Sequence, residues 1–311
     1  MGGLGVASAK LILFGEHAAV YGHPALGVSL PEATRVRVSG GALDEWDLSN
    51  IAPADRPTVQ RILVRLEELM PGRPARGVVR IASNVPRGVG FGSSAALCGA
   101  LARALLSRSA DRGGPDQAWR LAHGAEGLFH GTPSGIDTGL ALARGMHLME
   151  PRPPGLPARQ RVFPARIWLV VGAVSRDAAC GALIAGLASR MKAGDVETAR
   201  CLDELGGLST AACDALQGPG GQAARRIGEL AEQAMRRLRA LGLCVPAQDG
   251  LLDAGRAAGA LGGKLSGAGG GGAFFMVAPD RRAAVRIARS IEAEAGKRGT
   301  ALAGALRAIG T

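Results

Sequence analysis

Residues that could do acid–base chemistry gather near the start of the chain, in the stretch ASAKLILFGEHAAVYGHPAL at 7–26. Lys10 opens an apolar run, and Glu16 and His17 follow a glycine at the end of that run. A lysine in this position could simply lie at the edge of a strand. Three charged or titratable groups at the two ends of one short strand could also converge in a cleft.

A second such stretch, EGLFHGTPSGID at 126–137, carries two acidic residues. Glu126 stands four residues before His130, near the expected end of a helix. Asp137 follows a Pro-Ser-Gly turn that would hold it rigidly. Taken alone, Asp137 is best interpreted as the cap of a helix or turn.

The segment NVPRGVGFGSSAA at 84–96 places three glycines between a proline and two serines, ahead of an apolar run. Glycines let backbone N–H groups converge on an anion, and the start of the following helix adds positive potential. Such a loop could bind phosphate, open a dinucleotide-binding fold, or form a turn. Ser93 and Ser94 stand at the helix start, where one could cap the helix while the other contacts phosphate or a metal ion.

Two common nucleotide-binding motifs do not occur in the sequence. It has no match to GxxxxGK[ST], and the loop reads GxGxG rather than GxGxxG. Dinucleotide-binding folds carry an acidic residue about 20 positions further on, at the end of a strand. The residue near that distance, Asp111, stands in a DRGGPD loop instead. A nicotinamide-dependent enzyme is therefore disfavoured.

A second glycine-rich segment, KLSGAGGGG at 264–272, precedes a β-like apolar run. Five of its nine residues are glycine, which permits close backbone packing against another loop or a ligand. It could also be a flexible turn, but the ordered run that follows argues against a linker.

The composition bears on partners and location. The net charge of +11 comes from 37 basic and 26 acidic residues, yet only four of the basic residues are lysines and none form a block of five. Binding to nucleic acid is therefore not expected. The five cysteines form no CxxC pair, so we expect reduced, mostly buried thiols. No signal-peptide layout or membrane-spanning run is evident, so we expect no membrane association and a cytoplasmic location.

The pattern of apolar residues predicts helices and strands that alternate in both halves, which indicates an α+β or α/β class. The expected strands are 11–14, 28–30, 34–39, 77–83, 166–174 and 273–278. The expected helices are 58–70, 93–108, 115–129, 178–192, 195–216, 222–241 and 280–297. The proline-rich segment at 151–157 suggests a domain boundary, so we predict domains at 1–157 and 158–311.

In this order, the four stretches resemble the GHMP kinases, and the match spans residues 7–277. PRGVGFGSSAA is similar to that family's PxGxGLGSSAA loop, with Phe91 where leucine is usual. AKLILFGEHAAVYGHPAL and HGTPSGID are most similar to the members that phosphorylate mevalonate. The resemblance implies a two-domain fold, with an N-terminal ribosomal-protein-like α/β domain and a C-terminal ferredoxin-like α+β domain.

The resemblance also implies which residues would bind ATP and Mg²⁺. The residues that would wrap the ATP phosphates are Gly88, Val89, Gly90, Phe91, Gly92, Ser93, Ser94, Ala95 and Ala96. The residues that would brace this loop are Ser266, Gly267, Ala268 and Gly269. Ser94 and Glu126 would hold Mg²⁺, a hard cation that prefers oxygen ligands and shares them with phosphate.

The implied reaction is transfer of a phosphoryl group from ATP to the primary hydroxyl of mevalonate. Asp137 would accept the proton of that hydroxyl or orient it. Lys10 would pair with Asp137 and stabilise negative charge near the γ-phosphoryl group. Glu16 and His17 would complete the mevalonate side of the site, together with Lys10 and Asp137.

One segment departs from the pattern of the members that phosphorylate mevalonate. They carry an Arg/Lys-Ser/Asn-Thr-Lys/Arg-like segment where this chain has AACG at 178–181, with Cys180 at the threonine position. Arg176 stands two positions earlier and could substitute for the missing cations. The sequence therefore leaves open a related acceptor such as phosphomevalonate, or a relative that binds ligands without catalysis. It also leaves open whether the protein forms a homodimer.

Overall fold

The structure, a computed structural model, folds into two compact units, each made from several segments. The first unit comprises Met1–Lys10, Ser29–Val85 and Gly92–Arg144, and the second Leu11–Val28, Pro86–Phe91 and Gly145–Thr311. The described residues are 2–41, 43–72, 74–109, 114, 116–131, 133–153, 155–176, 180–304 and 306–310. The predicted domain boundary at 157 stays a prediction. The contacts group two earlier segments, Leu11–Val28 and Pro86–Phe91, with the C-terminal half of the chain.

The described residues form both strands and helices. The strands are β1 (Gly3–Phe14), β2 (Ala25–Ser39), β3 (Val78–Ser83), β4 (Met146–Glu150), β5 (Ala158–Val162), β6 (Trp168–Val174), β7 (Gly262–Leu265), β8 (Gly272–Ala278) and β9 (Arg307–Gly310). The α-helices are α1 (Arg56–Leu69), α2 (Ser93–Leu106), α3 (Gln117–Glu126), α4 (Ile136–Leu142), α5 (Cys180–Lys192), α6 (Val196–Leu216), α7 (Gly220–Ala240), α8 (Pro246–Ala257) and α9 (Arg281–Arg298). A short 3₁₀ helix follows β1 at Ala18–Tyr21.

The first sheet has the strand order β1-β2-β4-β5, and β3 also pairs with β2. The second half of β2 runs antiparallel to β3, from Thr34 opposite Ser83 onward. The first half of β2 runs antiparallel to β4, which in turn pairs with β5. The proline-rich segment at 151–157 therefore connects two neighbouring strands of one sheet; its Pro154 lies outside the described residues.

The second sheet has the strand order β7-β8-β6-β9, with all the observed pairings antiparallel. Along the chain, β6 is followed by helices, then by the β7–β8 hairpin, α9 and β9. This is the β-α-β-β-α-β arrangement of ferredoxin-like domains, as predicted for the C-terminal part. Strand β8 is buried along its whole length, and its first residue, Gly272, lies opposite Val174 at the end of β6.

Several elements were not predicted or were predicted too short. Strand β1 extends back to Gly3 because its glycines pack on α2: a Cβ atom on Gly5 would lie 1.9 Å from the Ala100 carbonyl oxygen. Because glycine and alanine contribute little to the pattern of apolar residues, only residues 11–14 were predicted as a strand. The elements missed entirely are α4, α8, β4, β5 and β7, whereas the residues after 298, which the sequence left open as a strand or a tail, form β9. Among the described residues, no helix is both long enough and apolar enough to cross a membrane.

Candidate active site

Lys10 and Asp137, the two residues predicted to be catalytic, form an ion pair in the first unit. The Lys10 Nζ atom lies 2.9 Å from the Asp137 Oδ1 atom. Lys10 extends from β1 and its side chain is 4% exposed, whereas the Asp137 side chain, in the first turn of α4, is 33% exposed. The lysine thus fixes one carboxylate oxygen from the protein side while the carboxylate remains within reach of a ligand.

Gly92 provides the space in which the Lys10 side chain lies. A Cβ atom on Gly92 would be 2.7 Å from Lys10 Cγ and 2.9 Å from Lys10 Cε. Gly92 also has a φ of 72°, in the left-handed region that favours glycine, and it forms the N-cap of α2 without a side-chain hydrogen bond. The prediction that Ser93 or Ser94 caps this helix is therefore wrong, since the glycine holds the cap position.

Ser94 and Glu126, the predicted metal ligands, also lie together. The Ser94 hydroxyl donates a hydrogen bond to Glu126 Oε1 at 3.2 Å, which links the first turn of α2 to the last residue of α3. Glu126 is buried, and its Oε2 atom has no hydrogen-bond partner within the described part of the chain. A buried carboxylate oxygen without a partner is costly unless a ligand or cation fills the place.

The raised pKa of Glu126 also favours a cation at this place. Burial raises the pKa of Glu126 to about 8, and the negative charge of Asp137 adds to this rise. The positive charge of Lys10 and the hydrogen bond from Ser94 oppose the rise without cancelling it. Two carboxylates therefore share one lysine, and a divalent cation would restore the charge balance.

The donor set suits Mg²⁺ better than a metal held by the protein alone. Mg²⁺ commonly binds one or two protein oxygens and takes its other ligands from water and substrate phosphates. Ser94 and Glu126 supply two such oxygens. Across the residues that the structure describes, no group of three or more His, Cys, Asp or Glu side chains could hold a metal.

The phosphate-loop glycines have the conformations that the motif requires. Gly88, Gly90 and Gly92 have φ values of 74°, 94° and 72°, which a residue with a side chain rarely adopts. The side chains of Val89, Phe91, Ala95 and Ala96 are buried. Because these side chains pack inward, the loop can meet a ligand mainly through its backbone N–H groups.

In the second unit, Glu16 pairs with Lys264, a residue whose role the sequence reasoning missed. Lys264 is fully buried, and its ammonium group donates to Glu16 Oε1 and to the carbonyl oxygens of Leu13 and Leu265, at 3.0 and 2.7 Å. Burial lowers the pKa of Lys264, and Glu16 opposes this shift. A lysine at the start of the second glycine-rich segment, in a chain with only four lysines, was the available signal.

His17 lies against the second glycine-rich segment. Burial lowers the pKa of His17 to about 4, with contacts to the backbone of Ala268 and Gly267 acting in the opposite direction. Its imidazole is therefore neutral near pH 7. Its Nε2 atom is buried and lacks a hydrogen-bond partner among the described residues. His17 is also the one described non-glycine residue with a positive φ, at 62°.

The second glycine-rich segment is anchored on the end of β1. The Ser266 hydroxyl donates to the Ile12 carbonyl oxygen at 2.7 Å, and Ser266 is buried. At the far end of the segment, a Cβ atom on Gly272 would lie 3.2 Å from the Val89 carbonyl oxygen. This approach to the first glycine loop is compatible with the predicted bracing role, which stays a prediction for Ser266–Gly269.

The segment that departs from the motif pattern falls largely outside the described residues. Ala178 and Ala179 are not described, nor is the side chain of Cys180, at which α5 begins. Arg176 is described and lies close to both glycine-rich segments.

Two family models match this chain. GHMP kinases N terminal domain matches residues 57–145, and GHMP kinases C terminal matches residues 214–298. The fold and the two matches define the class: the chain belongs to the GHMP kinase family. Membership implies ATP as co-substrate together with a divalent cation, and it confirms the predicted family and two-domain fold.

Within the family, the chain is similar to mevalonate kinases. The mevalonate kinase of Pyrococcus horikoshii is 30% identical, with 93% of this chain and 92% of the relative covered. The mevalonate kinase of Thermococcus sibiricus is 28% identical with the same coverage of 93% and 92%. A crystal structure of L. major mevalonate kinase in complex with R-mevalonate has a TM-score of 0.83 at 23% identity, covering 99% of this chain and 95% of that chain. The predicted similarity to mevalonate kinases is thus confirmed.

The raised pKa of Glu126 predicts a pH-dependent stability of the metal-free protein. Because that pKa is about 8 in the folded state against 4.5 ordinarily, the folded state holds more protons than the unfolded state between these values. The free energy of unfolding should therefore fall as the pH rises through this window. In Glu126→Gln, which keeps an acceptor for Ser94 but has no charge, this part of the fall should disappear.

Urea unfolding in the presence of a chelator, at several pH values between about 5 and about 9, measures the difference between the two proteins. Wild type should lose a few kcal/mol relative to Glu126→Gln across the window. Parallel pH profiles for the two proteins would show that Glu126 is ionised throughout.

Proposed function

We propose that this protein transfers the γ-phosphoryl group of ATP to the primary hydroxyl of mevalonate, giving 5-phosphomevalonate and ADP. The observation that carries the proposal is the buried Lys10 paired with a partly exposed Asp137, beside the Ser94–Glu126 pair. This arrangement occurs in a chain that aligns with curated mevalonate kinases over most of its length.

Asp137 contacts the reacting hydroxyl in this proposal. Its carboxylate accepts the hydroxyl proton or orients the hydroxyl, while the oxygen attacks the γ-phosphorus. The bond between that phosphorus and the oxygen bridging to ADP breaks, and ADP leaves with the electron pair. Lys10 holds Asp137 in place and stabilises the negative charge that spreads over the transferred group.

The remaining predicted residues position the two substrates. Backbone N–H groups of the loop from Gly88 to Ser94 bind the ATP phosphates. Ser94 and Glu126 would hold Mg²⁺, which would neutralise part of the phosphate charge. His17 offers its unpartnered Nε2 atom to mevalonate, and Lys264 fixes Glu16 beside it. A cytoplasmic location and a homodimer stay predictions.

A panel of acceptors tests the proposed function. ADP release should be measured with mevalonate, phosphomevalonate, homoserine and galactose at equal concentrations, with ATP and Mg²⁺. We expect kcat/KM for mevalonate to exceed that for each other acceptor by about 100-fold or more, because mismatched polar groups leave buried partners unpaired. Absence of turnover with mevalonate would reject the proposal, and preference for phosphomevalonate would replace it.

The role of Asp137 is tested by Asp137→Asn. Asparagine has nearly the same shape but cannot take the proton and loses the attraction of Lys10, so kcat should fall by about 10²- to 10⁴-fold. The dissociation constant for ATP should stay within about twofold of wild type, since Asp137 acts on the acceptor.

A matched control is Asp214→Asn, which changes an exposed aspartate on α6 in the same way. Its kcat should equal that of wild type. If Asp137→Asn retains wild-type turnover, Asp137 has no part in the reaction.

A further inference from the structure

The side chain of Arg176 lies near Gly90 of the first glycine-rich segment and near Gly267 and Gly272 of the second, and these residues all belong to the second unit. A Cβ atom on Gly90 would lie 3.0 Å from Arg176 Nη2, and one on Gly267 would lie 3.6 Å from the same atom. A Cβ atom on Gly272 would lie 2.8 Å from Arg176 Nε. The guanidinium therefore lies near backbone on two sides: a Cβ atom at Gly272 or Gly90 would crowd it, and one at Gly267 would be in ordinary contact with it.

The register of the second sheet explains this placement. Val174, the last residue of β6, lies opposite Gly272, the first residue of β8. The chain that continues to Arg176 therefore runs beside the glycines that precede β8. A Cβ atom on Gly271 would lie 2.6 Å from the Ser175 carbonyl oxygen and 3.3 Å from Arg176 Cα. The backbone of Arg176, two residues after β6, is thus placed against the segment that precedes β8.

Among the described residues, the charge of Arg176 has no partner. Its Nε atom is buried and has no hydrogen-bond acceptor among the described residues. No ion pair of Arg176 with a carboxylate occurs in the same part of the chain. A guanidinium is always protonated, so a buried N–H of this group without an acceptor is unfavourable unless an anion binds there.

The glycines around Arg176 are shaped for the same kind of ligand. Gly90, Gly267 and Gly272 all have positive φ values, of 94°, 84° and 80°. Glycine in this conformation lets the backbone approach a ligand closely, and backbone N–H groups at such turns can bind anions. The guanidinium fork complements phosphate geometry, with two parallel hydrogen bonds.

We propose that Arg176 is a phosphate-binding residue, whose guanidinium contacts the phosphate chain of ATP between the two glycine-rich segments. The inference rests on the proposed function for the identity of the nucleotide. The alternative source of an anion is the carboxylate of mevalonate. Phosphate is favoured because Arg176 lies against Gly90, in the loop whose backbone geometry fits phosphate.

The test compares nucleotide and acceptor binding in Arg176→Gln and Arg176→Lys. In Arg176→Gln, the dissociation constant for ATP, measured by calorimetry with Mg²⁺ and without an acceptor, should rise about 10- to 100-fold. The rise should be smaller for ADP and smallest for AMP. In Arg176→Lys, which keeps the charge but not the planar fork, it should be about 3- to 10-fold. The KM for mevalonate should change by less than about twofold in both.

Arg282→Gln, at an exposed arginine on α9, is the matched control and should bind ATP as wild type does. The inference is overturned if Arg176→Gln binds ATP within about twofold of wild type, if only the mevalonate KM rises, or if AMP binding weakens as much as ATP binding. Should the glutamine variant fail to fold, an unchanged ATP dissociation constant in Arg176→Lys would overturn it.

Because ATP binding is measured without an acceptor, this experiment is independent of the acceptor panel. If mevalonate is turned over but ATP binding does not depend on Arg176, only the inference fails. If Arg176 affects ATP binding but mevalonate is not turned over, only the acceptor assignment fails.

Discussion

The ion pair between Lys10 and Asp137 is the constraint on which the rest of the first unit depends. Lys10 is buried on β1, so its ammonium group needs a negative partner, and Asp137 is held at 2.9 Å to provide one. Its alkyl chain in turn requires Gly92, since even a methyl group there would collide with it. One buried cation therefore accounts for a residue in the phosphate loop, for the N-cap of α2 and for the position of α4.

The single positive charge of Lys10 does not balance the two carboxyl groups near it. Glu126 interacts electrostatically with both Asp137 and Lys10. Its pKa is raised to about 8 because burial and the negative charge of Asp137 raise it more than the positive charge of Lys10 lowers it. In the proposed function, a divalent cation held by Ser94 and Glu126 would stabilise the ionised form of Glu126. In the second unit, the buried Nε atom of Arg176 has no acceptor among the described residues.

The sequence predicted which candidate site residues lie together better than it predicted the strands and helices that carry them. Lys10, Ser94, Glu126 and Asp137 could be assigned from motif residues, and the structure brings them together in their expected pairs. The serine cap was wrong because the close approach of Lys10 selects glycine at that position. Lys264 was missed because a buried lysine has no periodic signature, and strands such as β7 and β9 are too short to show one.

The central claim, that Lys10 and Asp137 act as one unit in phosphoryl transfer, is tested most directly by a double-mutant cycle. The measurement is kcat/KM for mevalonate in Lys10→Met, Asp137→Asn and the double variant, each with saturating ATP and Mg²⁺. If the pair acts as a unit, the double variant should be no more than about 10-fold slower than the slower single variant. If the two losses multiply instead, Lys10 and Asp137 act independently and the account is contradicted.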